Sequence, residues 1–255
     1  MQLADLLSSN NAIIFFLLFS RISGVIAFFP FFSHKSIPVS VKTALAFYLT
    51  ILFFPMTTLH NIPYEVSNIA LLVVGEFTLG FMAAVILNLV FGAIGLAGTQ
   101  ISMIMGFSMA SIMDPSTGTN TPIIGQILTL IAVMILLAFN GHHLILLYLS
   151  KTITHIELGG FYPNVNTWNY LSQGVKHMFM MGLIISFPFI ALSILSDVIF
   201  GMLMKTMPQF NLLVVGFPIK IFLSIMVMVA VLGAMMNIFQ QEFLSAFEYL
   251  KNLLI

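Results

Sequence analysis

Long apolar runs separated by short polar stretches dominate this chain. A helix that crosses about 30 Å of hydrocarbon needs roughly 20 apolar residues. Six runs approach or exceed that length: Ala12–Phe29, Val39–Phe54, Val66–Ala97, Ile123–Leu149, Val175–Phe200 and Leu212–Phe239. Glycine and proline interrupt several of them, and such residues bend or break helices. The pattern predicts an all-α, membrane-type protein with about six hydrophobic helices, some kinked or split, in a single domain over residues 1–255.

One stretch between the apolar runs has a different character. Ser150–Gly174 is more polar and contains the chain's single tryptophan, Trp168. We expect a loop here, with aromatic side chains of the kind that favour a membrane interface.

The composition excludes most other classes of protein. The chain is 60% hydrophobic and only 6% charged, whereas a soluble domain carries about 25% charged residues. Its formal net charge is zero, and no basic block is present, so nucleic-acid binding has no electrostatic basis. The absence of cysteine excludes disulfides and cysteine-ligated metals.

Several charged residues lie inside or beside the apolar runs. A charge at the bilayer centre costs at least about 2.5–3.5 kcal/mol, so each should have a partner. From their depth within the apolar runs alone, the candidate pairs are Arg21 with Glu76 and Asp197 with Lys220. We interpret these four as buried charges that serve pairing and assembly, because they lack the spacing of an ion or proton relay.

Catalytic and cofactor motifs are not found in the sequence. His142 and His143 follow Asn140-Gly141 inside an apolar run, but no carboxylate or third histidine lies within a turn to complete a metal site. We therefore expect a helix break with hydrogen-bonded imidazoles, no metal, no cofactor and no enzymatic activity.

The most polar central segment lies at Gly106–Gly125. Met105, Met109 and Met113 recur every four residues, which places them on one face of a helix. Asp114-Pro115 then ends that helix, because the residue before proline is pushed out of the α region. Two interpretations remain open from these residues alone: a deformable seal, or a plain loop between helices with core methionines.

A series of motifs resembles the FliR family of flagellar type III export-gate subunits, called SctT in virulence systems. In chain order the motifs are Gln100-Ile101, Gly106-Phe107-Ser108-x-Ala110, Asp114-Pro115-x-x-Gly118, Asn140-Gly141-His142-His143, Gln209-Phe210-Asn211 and Val215-Gly216-Phe217-Pro218-x-Lys220. Each motif is weak alone, but their order and the matching length extend the resemblance over essentially the whole chain.

The resemblance implies a structural subunit that assembles with FliP-like and FliQ-like proteins into a helical export gate. FlhB-like and FlhA-like components would associate with it, unfolded flagellar proteins would pass through it, and it would lie in the bacterial inner membrane at the flagellar basal body. Residues 106–122 would form a plug loop. The residues implied to form the plug are Gly106, Phe107, Ser108, Met109, Ala110, Ser111, Met113, Asp114, Pro115 and Gly118.

Two other functions compete with this interpretation. Broken helices also occur in small-solute and ion transporters, which bind their substrates near the bilayer midplane. An intramembrane enzyme is the weaker alternative, since the catalytic residues it needs are absent.

Overall fold

The computed structural model describes residues 9–32, 37–57, 66–106, 122–161, 165–207 and 212–252. These residues form helices and connecting turns, without a strand in the described part of the chain. The helices are α1 (Ser9–Phe28), α2 (Val39–Phe53), α3 (Val66–Ile104), α4 (Ile123–Ala138), α5 (Gly141–His155), α6 (Val165–Thr206) and α7 (Phe217–Asn252). A 3₁₀ turn, Phe54–Met56, follows α2, and a π-helical turn, Leu212–Gly216, precedes α7. The predicted all-α class is confirmed.

Five helices of the described chain are long and apolar enough to cross a membrane, or six if α4 and α5 count as one bent span. This agrees with the six apolar runs in the sequence. The helices extend beyond the runs, however. Helix α3 continues to Ile104 and α6 begins at Val165, because polar residues can prolong a helix that has already formed.

The predicted loop at Ser150–Gly174 is therefore wrong for much of its length. Helix α5 continues to His155, and Trp168 lies in the first turns of α6. Tyr170 of α6 packs edge-on against Tyr249 of α7, with ring centroids 5.0 Å apart. This aromatic contact supports the polar start of α6 as a helix.

The apolar run Ile123–Leu149 is broken rather than continuous. A break separates α4 from α5, and Asn140 within the break has a left-handed backbone with φ of 58°. Asparagine is one of the few residues besides glycine that tolerate this conformation. Pro188, in contrast, lies inside α6 without ending it.

The chain forms two compact units, each assembled from separate segments. Unit 1 contains Met1–Leu89, Phe139–Val175 and Phe243–Ile255, and unit 2 contains Val90–Ala138 and Lys176–Glu242. Helices α3, α6 and α7 each contribute to both units. The single-domain interpretation of residues 1–255 stays a prediction.

Each unit has its own apolar core. In unit 1, Leu17, Leu18 and Ile22 of α1 are fully buried. In unit 2, Leu128, Ala132 and Leu136 recur every four residues on the buried face of α4, and Phe91 packs edge-on against Phe239 with centroids 5.0 Å apart. Helical spacing thus accounts for which face of each helix is buried.

Candidate functional site: a loop base and two ion pairs

Most of the predicted plug loop lies outside the described residues. Only Gly106 and Pro122 of residues 106–122 are described. The plug residues outside the described part of the chain are Phe107, Ser108, Met109, Ala110, Ser111, Met113, Asp114, Pro115 and Gly118. The geometry of the loop's two ends is nevertheless defined.

At its N-terminal end, the loop leaves a helix that stops at a glycine. The Met105 N–H donates to the Ile101 carbonyl at 2.9 Å, and the Gly106 N–H donates to the Met103 carbonyl at 3.1 Å. Gly106 then adopts φ of +82°, a left-handed conformation that commonly ends helices. The single helix predicted to carry Met105, Met109 and Met113 on one face is therefore wrong, because the helix ends before Gly106. Met105 is fully buried, and Met109 and Met113 lie outside the described residues.

The helix that follows the loop, α4, packs against the helix that precedes it, α3. A Cβ added to Gly98 of α3 would lie 2.3 Å from the Cα of Gly125 in α4, so the two helix backbones are in direct contact. A Cβ added to Gly95, in contrast, would have no neighbouring atom within 4 Å. Gly92, Gly95 and Gly98 form a series of small residues along α3, a pattern that favours close helix packing, and such packing occurs at Gly98.

A buried ion pair lies in unit 1. Arg21 Nε contacts Glu76 Oε2 at 2.5 Å, with both side chains fully buried. Arg21 Nη2 donates to Glu76 Oε1 at 3.0 Å, so the contact is bidentate, the geometry in which arginine and carboxylate bind most strongly. The structure thus brings together the two residues that the sequence pairs.

The remaining guanidinium hydrogens bind the end of α5. Arg21 Nη1 donates to the carbonyls of Thr152 and Ile156 at 2.8 and 3.2 Å, and Nη2 donates to the Ile156 carbonyl at 3.3 Å. These carbonyls lie at the negative end of the helix dipole, which favours a cation. Every N–H of this guanidinium therefore has an acceptor.

Glu76 also holds the turn that follows α5. Its Oε1 accepts a hydrogen bond from the Gly159 N–H at 2.6 Å, and Gly159 has φ of +84°. The ion pair therefore joins α1, α3, the end of α5 and the next turn. Its location inside unit 1 favours a structural role over an ion pathway.

Glycines allow α1 and α3 to approach closely enough for this contact. A Cβ on Gly80 would lie 2.1 Å from the Arg21 carbonyl oxygen, and one on Gly24 would lie 2.6 Å from the Phe77 carbonyl oxygen. Sequence reasoning missed Gly24, Gly80 and Gly159. Glycines inside apolar runs are the signal that could have identified Gly24 and Gly80.

A second ion pair lies in unit 2, between α6 and α7. Lys220 Nζ contacts Asp197 Oδ1 at 2.8 Å, with the lysine side chain 12% exposed and the aspartate 62% exposed. Ser193, one turn earlier on α6, donates its hydroxyl to Asp197 Oδ2 at 3.3 Å. The cation is therefore covered, and the carboxylate faces outward.

The two histidines lie at the start of α5. Their ring centroids lie 4.2 Å apart, with the ring planes tilted by 40°. His142 Nδ1 is buried without a hydrogen-bond partner among the described residues. The predicted helix break is confirmed, whereas the predicted hydrogen bonding is wrong at this atom. The described residues contain no cluster of three or more histidine, aspartate or glutamate side chains that could hold a metal ion.

Known proteins resemble the chain over almost its whole length. A family model described as bacterial export proteins, family 1, matches residues 12–246. The flagellar biosynthetic protein FliR of Bacillus subtilis (strain 168) is 30% identical, over 94% of each chain. The protein of the same name from Escherichia coli (strain K12) is 27% identical over 92% of this chain and 90% of its own, and that of Aquifex aeolicus (strain VF5) is 26% identical over 96% of each.

Proposed function

The chain belongs to the bacterial export proteins, family 1, and we propose that it forms part of a flagellar protein-export gate whose channel is closed by residues 106–122. Its relatives are flagellar FliR proteins, which makes it a component of the flagellar export apparatus with a structural role. Its long apolar helices fit a membrane protein.

The contact between Gly98 and Gly125 is the observation that carries the plug proposal. Because these helices meet backbone to backbone, the segment between Gly106 and Pro122 starts and ends on two helices that pack against each other. Non-helical backbone at membrane depth is tolerated only where it is buried in protein or lines a wet cavity. A polar loop held between two closely packed helices is therefore compatible with a segment that projects into a channel.

We divide the loop by its chemistry. Gly106, Phe107, Ser108, Met109, Ala110, Ser111 and Met113 form the seal, since flexible, polarizable methionine adapts to many surfaces. Asp114, Pro115 and Gly118 form the turn that holds the seal in place. A passage for many unrelated unfolded chains needs such an adaptable closure rather than a fixed pocket.

The gate requires other proteins, and the paired charges contribute to its assembly. FliP-like and FliQ-like subunits would complete the channel, with FlhB-like and FlhA-like components beside it, in the inner membrane at the flagellar basal body. Arg21 and Glu76 would keep unit 1 in the shape that these partners recognise. Asp197 and Lys220 lie on a surface where a partner can bind.

Deletion of residues 111–122 tests the closing role. We expect the complex to assemble and co-purify as before, while liposomes that contain it leak small ions. Met109→Ala with Met113→Ala should produce a smaller leak, and Met103→Ala is the matched control, because this methionine lies on α3 before the loop and is 64% exposed. A deletion that keeps the liposomes tight and export normal would contradict the proposal.

A second experiment separates the gate from a small-solute or ion transporter. The purified chain alone in liposomes should take up no solute, because one subunit does not complete a channel. Substrate-dependent, saturable uptake by the chain alone would favour a transporter instead. Co-purification of FliP-like and FliQ-like proteins from native membranes would support the gate.

A further inference from the structure

The Asp197–Lys220 pair lies in an unusual place for charged residues. On α6, the exposed neighbours of Asp197 are Ile194 and Val198, which are 61% and 56% exposed, and Phe222 of α7 is 63% exposed. The surface of unit 2 around the pair is thus apolar, with one carboxylate directed outward. Lys220 lies beneath it with its side chain 12% exposed.

Hydrocarbon chains fit this surface poorly. Asp197 lies eight residues before Lys205, or about 12 Å along the helix axis at 1.5 Å per residue. In the other direction, the next ionisable residue on α6 is His177, about 30 Å away. A carboxylate that faces lipid within an apolar stretch is energetically costly. Lys220 and Ser193 each donate one hydrogen bond to the Asp197 carboxylate, which leaves further acceptor positions on its oxygens.

The same face of α6 is shaped for the close approach of another helix. Ser193, Asp197 and Gly201 recur every four residues and so follow one line along the helix. A Cβ at Gly201 would meet nothing within 4 Å, so a shallow notch lies one turn beyond the carboxylate. Small residues at this spacing let helix backbones approach and hydrogen-bond within membranes.

We propose that this face of α6 binds an apolar helix of a different protein of the export apparatus, and that this helix places an uncharged hydrogen-bond donor on Asp197. The inference rests on the proposed gate function and adds the chemistry of the partner. Asp197 and Lys220 already sum to zero charge, so a third charge would be uncompensated in apolar surroundings. A serine, threonine, asparagine or glutamine side chain supplies the donor without one.

Two double variants test the donor. Asp197→Asn with Lys220→Met removes both charges but retains a carbonyl acceptor at position 197, whereas Asp197→Leu with Lys220→Met removes the acceptor as well. The tagged chain is purified from native membranes, and its partner proteins are identified and quantified. We expect the asparagine variant to recover partners like the wild type and the leucine variant to recover about tenfold less, since it leaves a buried donor unpaired.

Several outcomes would overturn the inference. If both variants recover equal amounts of partner protein, lipid or nothing covers this face. If both variants lose the partner while they keep the thermal stability of the wild type in detergent, the donor is cationic. If the wild type itself recovers no partner, the gate proposal fails instead, so the two failures are distinguishable. Thermal unfolding of each purified variant shows whether it is folded.

A photocrosslinking amino acid at Val198 identifies what covers the face. We expect a crosslinked product with a different membrane protein, at an apolar segment that contains an uncharged polar side chain. A product with a second copy of this chain, or adducts with lipid alone, would overturn the proposal. Because this residue is exposed, the substitution should not disturb the core of unit 2.

Discussion

Gly98→Ala should separate the two helices that anchor the central loop. The added methyl carbon would lie 2.3 Å from the Cα of Gly125, whereas carbon atoms in contact lie about 3.5–4.0 Å apart. The helices would therefore have to move apart by about 1.2–1.7 Å. Neither contact atom is the end of a flexible side chain, so the strain cannot relax by a change of rotamer.

Gly95→Ala is the matched control, because it adds the same methyl group to the same helix where nothing lies within 4 Å. Both substitutions gain about 1 kcal/mol of helix propensity, and this gain cancels in their difference. Overpacking typically costs about 1–3 kcal/mol, so Gly98→Ala should be less stable than Gly95→Ala by about that amount.

Unfolding of the purified chain in detergent, followed by the loss of helical circular dichroism, measures this difference. Ion leakage from the assembled complex is a separate measurement, and we expect it to rise for Gly98→Ala and to stay low for Gly95→Ala. Equal stability of the two variants would refute the inferred backbone contact. A difference in stability without leakage would support the contact but not its role in closing the channel.

Two further predictions concern unit 1. Glu76→Ala should destabilise the chain by about 3–5 kcal/mol, because it leaves a buried guanidinium without its counter-charge. The double variant Arg21→Met, Glu76→Leu should lose less stability than this single variant in the same detergent unfolding assay. A double variant that loses more stability than the single variant would contradict the pairing. Trp168, the single tryptophan, is 71% exposed, and we expect its fluorescence to be quenched most by lipids brominated near the headgroups. Maximal quenching by bromines near the bilayer centre would contradict an interfacial position.

The sequence predicted the helices better than it predicted their ends. Six apolar runs correspond to six potential spans, because burial in apolar surroundings demands such runs. The start of α6 at Val165 was missed, since its polar residues are helical through contact with α7, as at Tyr170 and Tyr249. The helix break at Asn140 was anticipated from the Asn-Gly sequence, and Asn140 there has the left-handed backbone that asparagine tolerates.

The candidate site was predicted unevenly. Arg21 and Glu76 were paired because isolated buried charges are too costly, and Asp197 and Lys220 were paired by the same reasoning. The acceptors at the end of α5 were not predicted, because main-chain carbonyls are present at every residue and the sequence does not distinguish one from another. The helix predicted to run from Met105 through Met113 was wrong because Gly106 ends it in a left-handed conformation.

Composition and order of residues determined that this chain is helical, apolar and marked by one central polar loop, and its motifs indicated the family. These properties follow from local spacing and from the cost of polar groups in apolar surroundings. Only the tertiary structure decided that Gly98 touches Gly125, and that Asp197 faces outward while Lys220 is covered. Contacts between residues distant in sequence depend on how whole helices pack, which local spacing does not specify.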